Sequence, residues 1–293
     1  MKHAYLIVAH NEPIVLKYLL TMLDDERNDV FLHIDRRSTK LYSLFSEKQL
    51  QHARLFVLEN RKAVHWGDIS QVKVEYLLFE TALKHGPYSY YHLLSGVDLP
   101  IKSQDYIHRF FQENAGHEFV GFWWEKSHRR DLHRKVQRYY LFTPYLREGS
   151  LCVHGATSFI RNIVLAMQKA TSYRRYKRKK FCKGFQWVSI TQDLCSYLVM
   201  KKSKVFRLFR YTLCPDEIFI QTMVWNSKFR SRLYNSEDVV LGSMRAIDWH
   251  RGSPYVWRKE DEETLLNSPC LFARKFSEKE PQVLELLYQK LRG

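Results

Sequence analysis

The sequence is poor in the residues that form phosphate-binding loops and metal sites. Its 293 residues include only 11 glycines, and neither the GxGxxG pattern of dinucleotide-binding enzymes nor the GxxxxGK(S/T) pattern of P-loop enzymes occurs. The 13 histidines contain no HExxH pair, and no Asp-x-Asp turn follows a predicted strand. These absences disfavour a Rossmann dehydrogenase, a P-loop enzyme and an HExxH metalloprotease, and we predict no metal site.

Paired cysteines and long apolar runs are also missing. The number of cysteines is odd and no CxxC pair occurs, so neither a disulfide framework nor a zinc site is predicted. No stretch approaches the roughly 18 apolar residues of a membrane-spanning helix, and the apolar residues before His10 are too few for a signal peptide. We therefore expect a cytoplasmic protein. The five cysteines are Cys152, Cys182, Cys195, Cys214 and Cys270.

Positive charge and aromatic side chains are abundant instead. The chain has 47 Lys and Arg against 31 Asp and Glu, a formal net charge of +16, and 15% of its residues are Phe, Trp or Tyr. A basic protein attracts nucleic acid, acidic membrane surfaces or phosphorylated small molecules. Surplus aromatic rings can stack on sugars or bases. Charge alone does not choose among these partners.

The hydrophobic pattern predicts a single α/β domain over residues 1–293. Apolar runs at 4–9, 30–34, 55–58 and 88–94 are typical of buried strands, and amphipathic stretches at 13–23 and 68–83 alternate with them as helices. This order indicates a mostly parallel sheet with helices on both faces. Ligands of such sheets bind beyond the carboxyl ends of the strands, where His10, Asp35 and Asp98 lie.

The second half is less regular. A strand is predicted at 186–190, helices at 192–200, 217–225 and 281–291, and loops around 248–257. The pattern therefore divides the chain into a regular half, residues 1–102, and a less regular half, residues 103–293.

Three local features admit two or more interpretations. The basic runs at 128–138 and 173–183 could be solvated surface, a nucleic-acid site or a membrane-facing patch. Arg274 and Lys275 are flanked by apolar residues, so their charged groups either extend to solvent or pair with an anion. The segment ending in Glu217, Cys-Pro-Asp-Glu, is either a capped helix start or a catalytic acid.

Several segments, in order along nearly the whole chain, carry a family resemblance. They are similar to the core-2/I-branching β-1,6-N-acetylglucosaminyltransferases, a family that also resembles the peptide O-xylosyltransferases. The segments are Val-Ala-His at 8–10, His-Ile-Asp-Arg at 33–36, Ala-Val-His-Trp-Gly-Asp-Ile-Ser-Gln-Val at 63–72, His-Leu-Leu-Ser-Gly-Val-Asp-Leu-Pro-Ile-Lys at 92–102, Cys-Pro-Asp-Glu at 214–217 and Leu-Phe-Ala-Arg-Lys-Phe at 271–276.

The resemblance implies a GT-A-like, Rossmann-type nucleotide-sugar fold and an inverting transfer from a UDP-sugar without a metal or other cofactor. It also implies that residues 1–102 are the nucleotide-binding half and residues 103–293 the acceptor and catalytic half. It implies that Glu217 is the general base, and that Arg274 and Lys275, with Arg245 as the second basic ligand, bind the diphosphate. The remaining donor-site residues that it implies are Val8, His10, Asp35, Trp66 and Asp98. The acceptor contacts, matched by their order in the chain, are Glu125, Gln186 and Trp187.

The resemblance also has departures. Animal members carry a membrane anchor and disulfides, and neither is predicted here, so we expect a bacterial relative that transfers GlcNAc in surface-polysaccharide synthesis. Its acceptor would be a glycan or a lipid-linked glycan. The basic runs would dock it on the anionic inner face of the plasma membrane, with no role in nucleic-acid binding. The alternatives are a basic nucleic-acid-binding protein and a catalytically silent sugar-binding homologue.

Overall fold

The computed structural model describes residues 2–176 and 179–292. Its centre is a five-stranded sheet in the order β3-β2-β1-β4-β6, in which β6 alone runs antiparallel to its neighbour. The strands of this sheet are β1 (His3–Ala9), β2 (Asn28–Ile34), β3 (Arg54–Val57), β4 (Tyr90–Ser95) and β6 (Ser189–Thr191). A second, three-stranded sheet contains β5 (Asp98–Pro100), β8 (Phe272–Arg274) and β7 (Arg245–Ile247), in that spatial order.

Helices cover both faces of the central sheet, as predicted. Along β1, Ala4 and Leu6 face one hydrophobic core, while Tyr5, Ile7 and Ala9 face the other. The helices are α1 (Pro13–Met22), α2 (Thr39–Phe45), α3 (Ile69–His85), α4 (Gln104–Glu113), α5 (Lys126–Gln137), α6 (Leu151–Ala170), α7 (Gln192–Met200), α8 (Lys202–Phe209), α9 (Phe219–Trp225), α10 (Val239–Ser243), α11 (Glu262–Asn267) and α12 (Pro281–Leu291). Four 3₁₀ turns occur at Thr143–Tyr145, Pro215–Glu217, Lys228–Arg232 and Lys259–Asp261.

Local sequence chemistry accounts for the helix starts that position the site. Pro13 occupies the first turn of α1, where its missing N–H costs no hydrogen bond. Asp68 caps α3 by accepting a hydrogen bond from the Ser70 N–H, which ends the preceding loop at a defined residue. The mixed α/β fold with a mostly parallel, helix-flanked sheet is confirmed.

Two predicted elements differ from the structure. The strand expected at 186–190 is Ser189–Thr191, because its pairing with β4 begins only at His92 opposite Ser189. The helix expected at 217–225 starts at Phe219, because Pro215–Glu217 forms a separate 3₁₀ turn. Both differences leave residues of the candidate site, Gln186, Trp187 and Glu217, outside regular strand or α-helix.

The two halves predicted from the sequence share their sheets. Strand β6 from the second half adds to the central sheet beside β4, and β5 from the first half pairs with β8 near the C-terminus. All five cysteines are free. Within residues 2–176 and 179–292, the structure contains no helix that combines the length and apolarity needed to cross a membrane.

Candidate active site

The carboxyl ends of β1, β2 and β4 meet at one edge of the central sheet, here named the carboxyl edge. The Asp35 N–H donates to the Ala9 carbonyl at 2.8 Å, and the Gly96 N–H donates to the Val8 carbonyl at 2.9 Å. Desolvation lowers the pKa of His10; nearby Asp35 opposes this shift, and Arg274 and the neighbouring Arg37 and Lys275 add to it. Residues far apart in sequence therefore act on one another at this edge.

Asp35 is already saturated by protein donors. Its Oδ1 accepts from the Arg37 N–H at 2.8 Å and from Arg37 Nε at 3.0 Å, while its Oδ2 accepts from Arg37 Nη2 and the Val64 N–H, both at 2.9 Å. Burial acts to raise the pKa of Asp35, but these hydrogen bonds outweigh it and the net shift is downward. Because a carboxylate has about four acceptor sites, a nucleotide could bind Asp35 directly only by displacing one of these donors.

Asp98 and Ser95 hold Arg274 at the same edge. The antiparallel pairing of β5 with β8 sets Asp98 opposite Arg274. Arg274 Nη1 donates to Ser95 Oγ at 2.6 Å and to Asp98 Oδ1 at 2.8 Å, and the carboxylate of Asp98 is buried. The guanidinium also lies over the ring of Trp187, 4.7 Å from its centroid. Arg274 is thus a positioned cation whose orientation depends on a buried acid.

Lys275, the next residue, has a different environment. Its side chain is partly buried, and its backbone is held by hydrogen bonds with Tyr255 and Trp257. Among residues 2–176 and 179–292, no acceptor lies within hydrogen-bonding or ion-pair distance of the Lys275 ammonium group. Its charge is therefore uncompensated at an edge where His10 and Arg274 also lie, which is the property required of a ligand for a bound anion.

Glu217 belongs to a compact cluster of two acids and two lysines, here named the acid–lysine cluster. Its Oε2 accepts from Lys135 Nζ at 2.9 Å and lies 3.2 Å from Lys183 Nζ. Both ammonium groups also contact Asp131 Oδ2, at 3.1 and 2.7 Å. Burial acts to lower the pKa of Lys135, but Glu217 and the neighbouring acids raise it above its ordinary value. Lys135 is therefore charged, and it fixes the Glu217 carboxylate.

This cluster removes one lysine of each basic run from the surface. Lys135 and Lys183 are 8% and 7% exposed, so neither contributes to a solvated or membrane-facing surface. The available sequence signals were the four-residue spacing of Asp131 and Lys135, which suits a helical ion pair, and the apolar residues around Lys183. Neither signal indicates that the two lysines share a carboxylate that lies 34 or more residues further along the chain. Lys177 and Arg178 of the second run lie outside the described residues.

One short segment connects the acid–lysine cluster to Arg274. The Gly184 N–H donates to the Glu217 carbonyl at 3.0 Å, and Trp187 lies under the Arg274 guanidinium. Four residue steps from Lys183 to Trp187 span at most about 14 Å. A Cβ at Gly184 would lie 1.8 Å from the Gly121 carbonyl oxygen, so only glycine allows this close approach. The segment therefore links the predicted base to Arg274, one of the predicted diphosphate ligands.

The loop before α3 contacts both the carboxyl edge, at Asp35, and the segment that contains Glu217. Val64 contacts Asp35, as described above, and the Cys214 N–H donates to the Gly67 carbonyl at 2.9 Å, three residues before Glu217. Between them, Trp66 is exposed and carries the guanidinium of Arg147 on its ring, 3.6 Å from the centroid. The loop thus presents an accessible aromatic surface beside the carboxyl edge.

A buried pair of acids lies behind Glu217. Gln186 Nε2 donates to Glu75 Oε1 at 2.7 Å, and burial, with the nearby charge of Asp216, raises the pKa of Glu75 well above its usual range. Burial and the adjacent Glu217 raise the pKa of Asp216 to about 7. Among the described residues, Asp216 Oδ1 has no hydrogen-bond partner. The interior behind the candidate base therefore favours protonated carboxyl groups.

The chain belongs to the Core-2/I-Branching enzyme family. The sequence pattern of that family matches residues 3–270, almost the whole chain. The recognition made from the sequence motifs is confirmed, together with the GT-A-like class of fold. The family also supports the coarser functional prediction, a glycosyltransferase.

Curated relatives are longer than this chain. Xylosyltransferase 2 of Rattus norvegicus is 25% identical over an alignment of 312 residues, gaps included, that covers 99% of this chain but 34% of that protein. A xylosyltransferase of Ciona intestinalis is 23% identical over 292 residues, 94% of this chain and 32% of its own length. The chain thus spans about a third of each.

Solved structures resemble the chain only weakly. Mouse xyloside xylosyltransferase 1 covers 95% of this chain and 99% of its own at 9% identity, with a TM-score of 0.37. S. aureus TarS covers 41% of this chain and 21% of its own at 15% identity, with a TM-score of 0.29. Neither likeness is close enough to support a statement about the site.

Arg245 is the one donor-site residue that the structure does not bring to the edge. It is 1% exposed, and its guanidinium donates to the Ser243 carbonyl at 2.8 Å, the Val188 carbonyl at 3.1 Å and Ser189 Oγ at 3.0 Å. The same group lies over the ring of Phe272, and burial lowers its pKa to about 10. The prediction of Arg245 as a phosphate ligand is therefore corrected: it ties the small sheet to β6.

The three predicted acceptor residues have different surroundings in the structure. Gln186 turns its amide towards the buried Glu75, and Trp187 is 9% exposed, with the Arg274 guanidinium over its ring. Glu125 is exposed at the start of α5, 4.0 Å from His128 Nε2. Their acceptor role stays a prediction.

An aromatic group near them was not anticipated from the sequence. Trp123 packs on Phe185 and His128, and Lys183 Nζ lies 4.9 Å from the centroid of its indole ring. The exposed Trp249 lies near Phe185, with 6.5 Å between ring centroids. Such rings beside Glu217 form a surface on which an acceptor sugar could stack.

One concavity of the protein surface lies away from the predicted site residues. A surface concavity at the amino-terminal edge of the sheet, lined by residues such as Asp24, Arg27, His52 and Lys102, contains none of the predicted site residues.

Within the described part of the chain, no group of three or more His, Cys, Asp or Glu side chains is arranged to hold a metal ion. Metal independence itself stays a prediction.

The buried position of Arg245 predicts a structural phenotype. Arg245→Met should lower the free energy of unfolding by about 2–4 kcal/mol, because two buried carbonyls lose their charged donor. The affinity of the folded variant for UDP should change less than about twofold. Urea unfolding and UDP calorimetry measure the two effects, with the exposed Arg109→Met as control. A stable variant that no longer binds UDP would restore Arg245 as a phosphate ligand.

The raised pKa of Asp216 predicts a pH-dependent loss of stability. The folded state retains the Asp216 proton up to about pH 7, whereas the unfolded state releases it near 3.8. Between pH 5 and 7 the wild type should therefore lose about 1.4 kcal/mol per pH unit relative to Asp216→Asn, with no further change above pH 7. Urea unfolding at pH 5, 6, 7 and 8 measures this difference, with Glu113→Gln as control. Parallel pH profiles for the wild type and Asp216→Asn would contradict it.

Proposed function

We propose that this family member is an inverting glycosyltransferase that moves a sugar from a UDP-sugar to a glycan hydroxyl, with Glu217 as general base and no metal ion. One observation carries the proposal. Lys183 contacts the Glu217 carboxylate, and four residues further along the same segment Trp187 lies under the guanidinium of Arg274.

The geometry of Glu217 suits proton abstraction. Its Oε2 is occupied by Lys135 and Lys183, whereas Oε1 has no hydrogen-bond partner among the described residues. The carboxyl side chain is about a third exposed. Oε1 is therefore the oxygen available to accept the proton of an acceptor hydroxyl. Base catalysis of this kind accelerates a reaction by about 10²–10⁴-fold.

The chemical step is a single displacement. The acceptor hydroxyl gives its proton to Glu217 and its oxygen forms a bond to the anomeric carbon of the donor. The bond from that carbon to the phosphate oxygen breaks on the opposite face, so an α-linked donor gives a β-glycoside. The electron pair leaves with UDP, whose new charge Lys275 and Arg274 would stabilise as fixed cations.

Arg274 and Lys275 have different parts in this scheme. Arg274 is oriented by Asp98 and Ser95, so its remaining donors point in a direction set before the substrate arrives. Lys275 has no carboxylate partner among the described residues, so its full charge is available to a diphosphate. Preorganised cations replace the role that a divalent ion has in metal-dependent transferases.

The finer substrate assignment is also a proposal. The family resemblance favours GlcNAc as the transferred sugar, and the xylosyltransferase names of the relatives make xylose the second donor to test. We propose a bacterial surface glycan or lipid-linked glycan as the acceptor, and peripheral contact with the anionic inner face of the plasma membrane. UDP, rather than a polynucleotide, is the expected anionic ligand.

Substitution of the base tests the proposal directly. Glu217→Gln should reduce UDP release from the preferred donor by about 10²–10⁴-fold, because an amide cannot accept the hydroxyl proton. UDP affinity should change less than threefold. Transfer and UDP release are measured across UDP-GlcNAc, UDP-xylose, UDP-galactose and UDP-glucose, beside calorimetric UDP titrations. Glu113→Gln, an exposed acid on α4, is the control. Full turnover by Glu217→Gln would remove Glu217 from the base role, and no turnover by wild type with any donor would favour a silent homologue.

The cation scheme is tested at Lys275. Lys275→Met should weaken UDP binding by about 10- to 100-fold, the loss expected for one charge-assisted hydrogen bond. The exposed Lys279→Met should bind UDP like the wild type. Saturating EDTA should leave turnover unchanged in the wild type. Strict dependence on Mn²⁺ after EDTA treatment would overturn the metal-free scheme, and unchanged UDP affinity in Lys275→Met would remove this lysine from the diphosphate site.

A further inference from the structure

The longest helix, α6, presents an apolar face to the outside of the molecule. Exposed apolar or small side chains recur at positions 152, 156, 159, 160, 163 and 167, the three- and four-residue spacing of one helix face. Phe159 is 67% exposed, Met167 62%, and Ile160 and Ile163 44% each. A helix packed on a globular core has the reverse arrangement. We name these six positions the outer face of α6.

The opposite face of α6 accounts for its attachment to the protein. Leu165 packs on a small cluster that contains Tyr140, Leu213 and Cys214. Gln168 accepts from the Tyr139 N–H at 2.7 Å and donates to the Tyr139 carbonyl at 3.2 Å. Arg161 is the single buried residue of the helix. Because these contacts come from the inner side, the outer face is left for something outside the chain.

The charged residues within α6 and in the segment that follows it are all basic. Residues 149–192 contain nine Lys or Arg and no Asp or Glu. Among those described, Lys169, Arg174, Lys179 and Lys180 are exposed near the C-terminal end of the helix, and Arg147 is exposed just before its start. Arg175 links this region to the end of α5, donating to the Arg138 carbonyl at 3.2 Å. An apolar face bordered by positive charge without acidic partners is complementary to a surface with an apolar interior and a negatively charged exterior.

We propose that α6 lies in the headgroup region of an anionic membrane, with its outer face inserted and the neighbouring Lys and Arg side chains on lipid phosphates. Amphipathic helices that lie in the membrane plane combine these two features. The proposal assigns insertion to α6, whereas the basic runs alone would supply only electrostatic contact. A second copy of the chain fits this face less well, because two such basic surfaces would repel each other.

The position of α6 gives this surface a role in the proposed transfer reaction, on which this step rests. Leu165 packs against the cluster of Tyr140, Leu213 and Cys214, and Cys214 is three residues before Glu217. Glu148, three residues before the helix, contacts His65 Nδ1 at 2.8 Å and pairs with Arg37, the partner of Asp35. A membrane bound at α6 would therefore lie beside the candidate site, and an acceptor carried on a lipid would enter it from the bilayer surface.

Vesicle flotation of the full chain tests the proposal. The wild type should float with phosphatidylcholine vesicles that contain 30% phosphatidylglycerol, and at least tenfold less with pure phosphatidylcholine. The double variant Phe159→Ser/Ile163→Ser should lose at least tenfold of the binding to anionic vesicles, and so should Arg174→Glu/Lys180→Glu. The matched controls are Leu44→Ser, an exposed apolar residue of α2, and Lys84→Glu on α3, each expected to float like the wild type within twofold.

Several outcomes would overturn the proposal. Equal flotation on neutral and anionic vesicles would exclude the charge complementarity, and wild-type flotation of Phe159→Ser/Ile163→Ser would exclude insertion of α6. Light scattering gives the oligomeric state, and a dimer that this variant converts to monomer without change in flotation would make the outer face a self-association surface. UDP calorimetry on the same variants separates the two proposals. Retained UDP affinity with lost flotation supports membrane docking whether or not the transfer reaction is correct.

Discussion

The candidate site depends on the ion pairs between Glu217 and two buried lysines. Lys135 comes from α5 and Lys183 from the segment before β6, yet both ammonium groups converge on one carboxylate oxygen and on Asp131. Two buried ammonium groups without these acids would carry a large desolvation cost. The acids therefore hold the side chains of Lys135 and Lys183, and the lysines determine which oxygen of Glu217 remains accessible.

Adjacent residues of the same charge have different environments at two places in the candidate site. Glu217 is the accessible acid, while Asp216, next to it, is buried with a raised pKa. Lys275 carries the uncompensated charge, while Arg274 beside it is held by a buried acid. In the first pair one side chain is buried and the other is accessible, whereas in the second both side chains are partly buried and, among the described residues, only Arg274 has an acid partner. A site built in this way has its charges fixed in place before any substrate binds, which is the condition for electrostatic preorganisation.

The same arrangement relates the proposed chemistry to the molecular surface. The segment that leads into α6 contacts Arg37 and His65, and α6 itself packs against the small cluster that contains Cys214. The helix with the most exposed apolar face is thus attached to the residues that surround Glu217, rather than to a remote part of the sheet. A membrane-facing helix in this position would couple acceptor delivery to the site without any change in the nucleotide-binding strands.

The sequence by itself determined the alternation of strands and helices in the first hundred residues, the placement of His10 and Asp35 at strand ends, and the family motifs that contain Glu217, Arg274 and Lys275. These features depend on local periodicity and on residue order, which a single sequence contains. Boundaries near Gln186 and Glu217 were less accurate, because strand pairing and a 3₁₀ turn override local preference there.

Only the tertiary structure decided which charges are buried. Arg245 and Lys275 look alike as basic residues in an apolar context, yet Arg245 bonds to backbone carbonyls in the interior and Lys275 lies at the carboxyl edge. Lys135 and Lys183 belonged to runs typical of a solvated surface, yet they are buried against Glu217. The physical reason is that the cost of burying a charge depends on partners brought near by the fold, and those partners lie tens of residues away in the sequence.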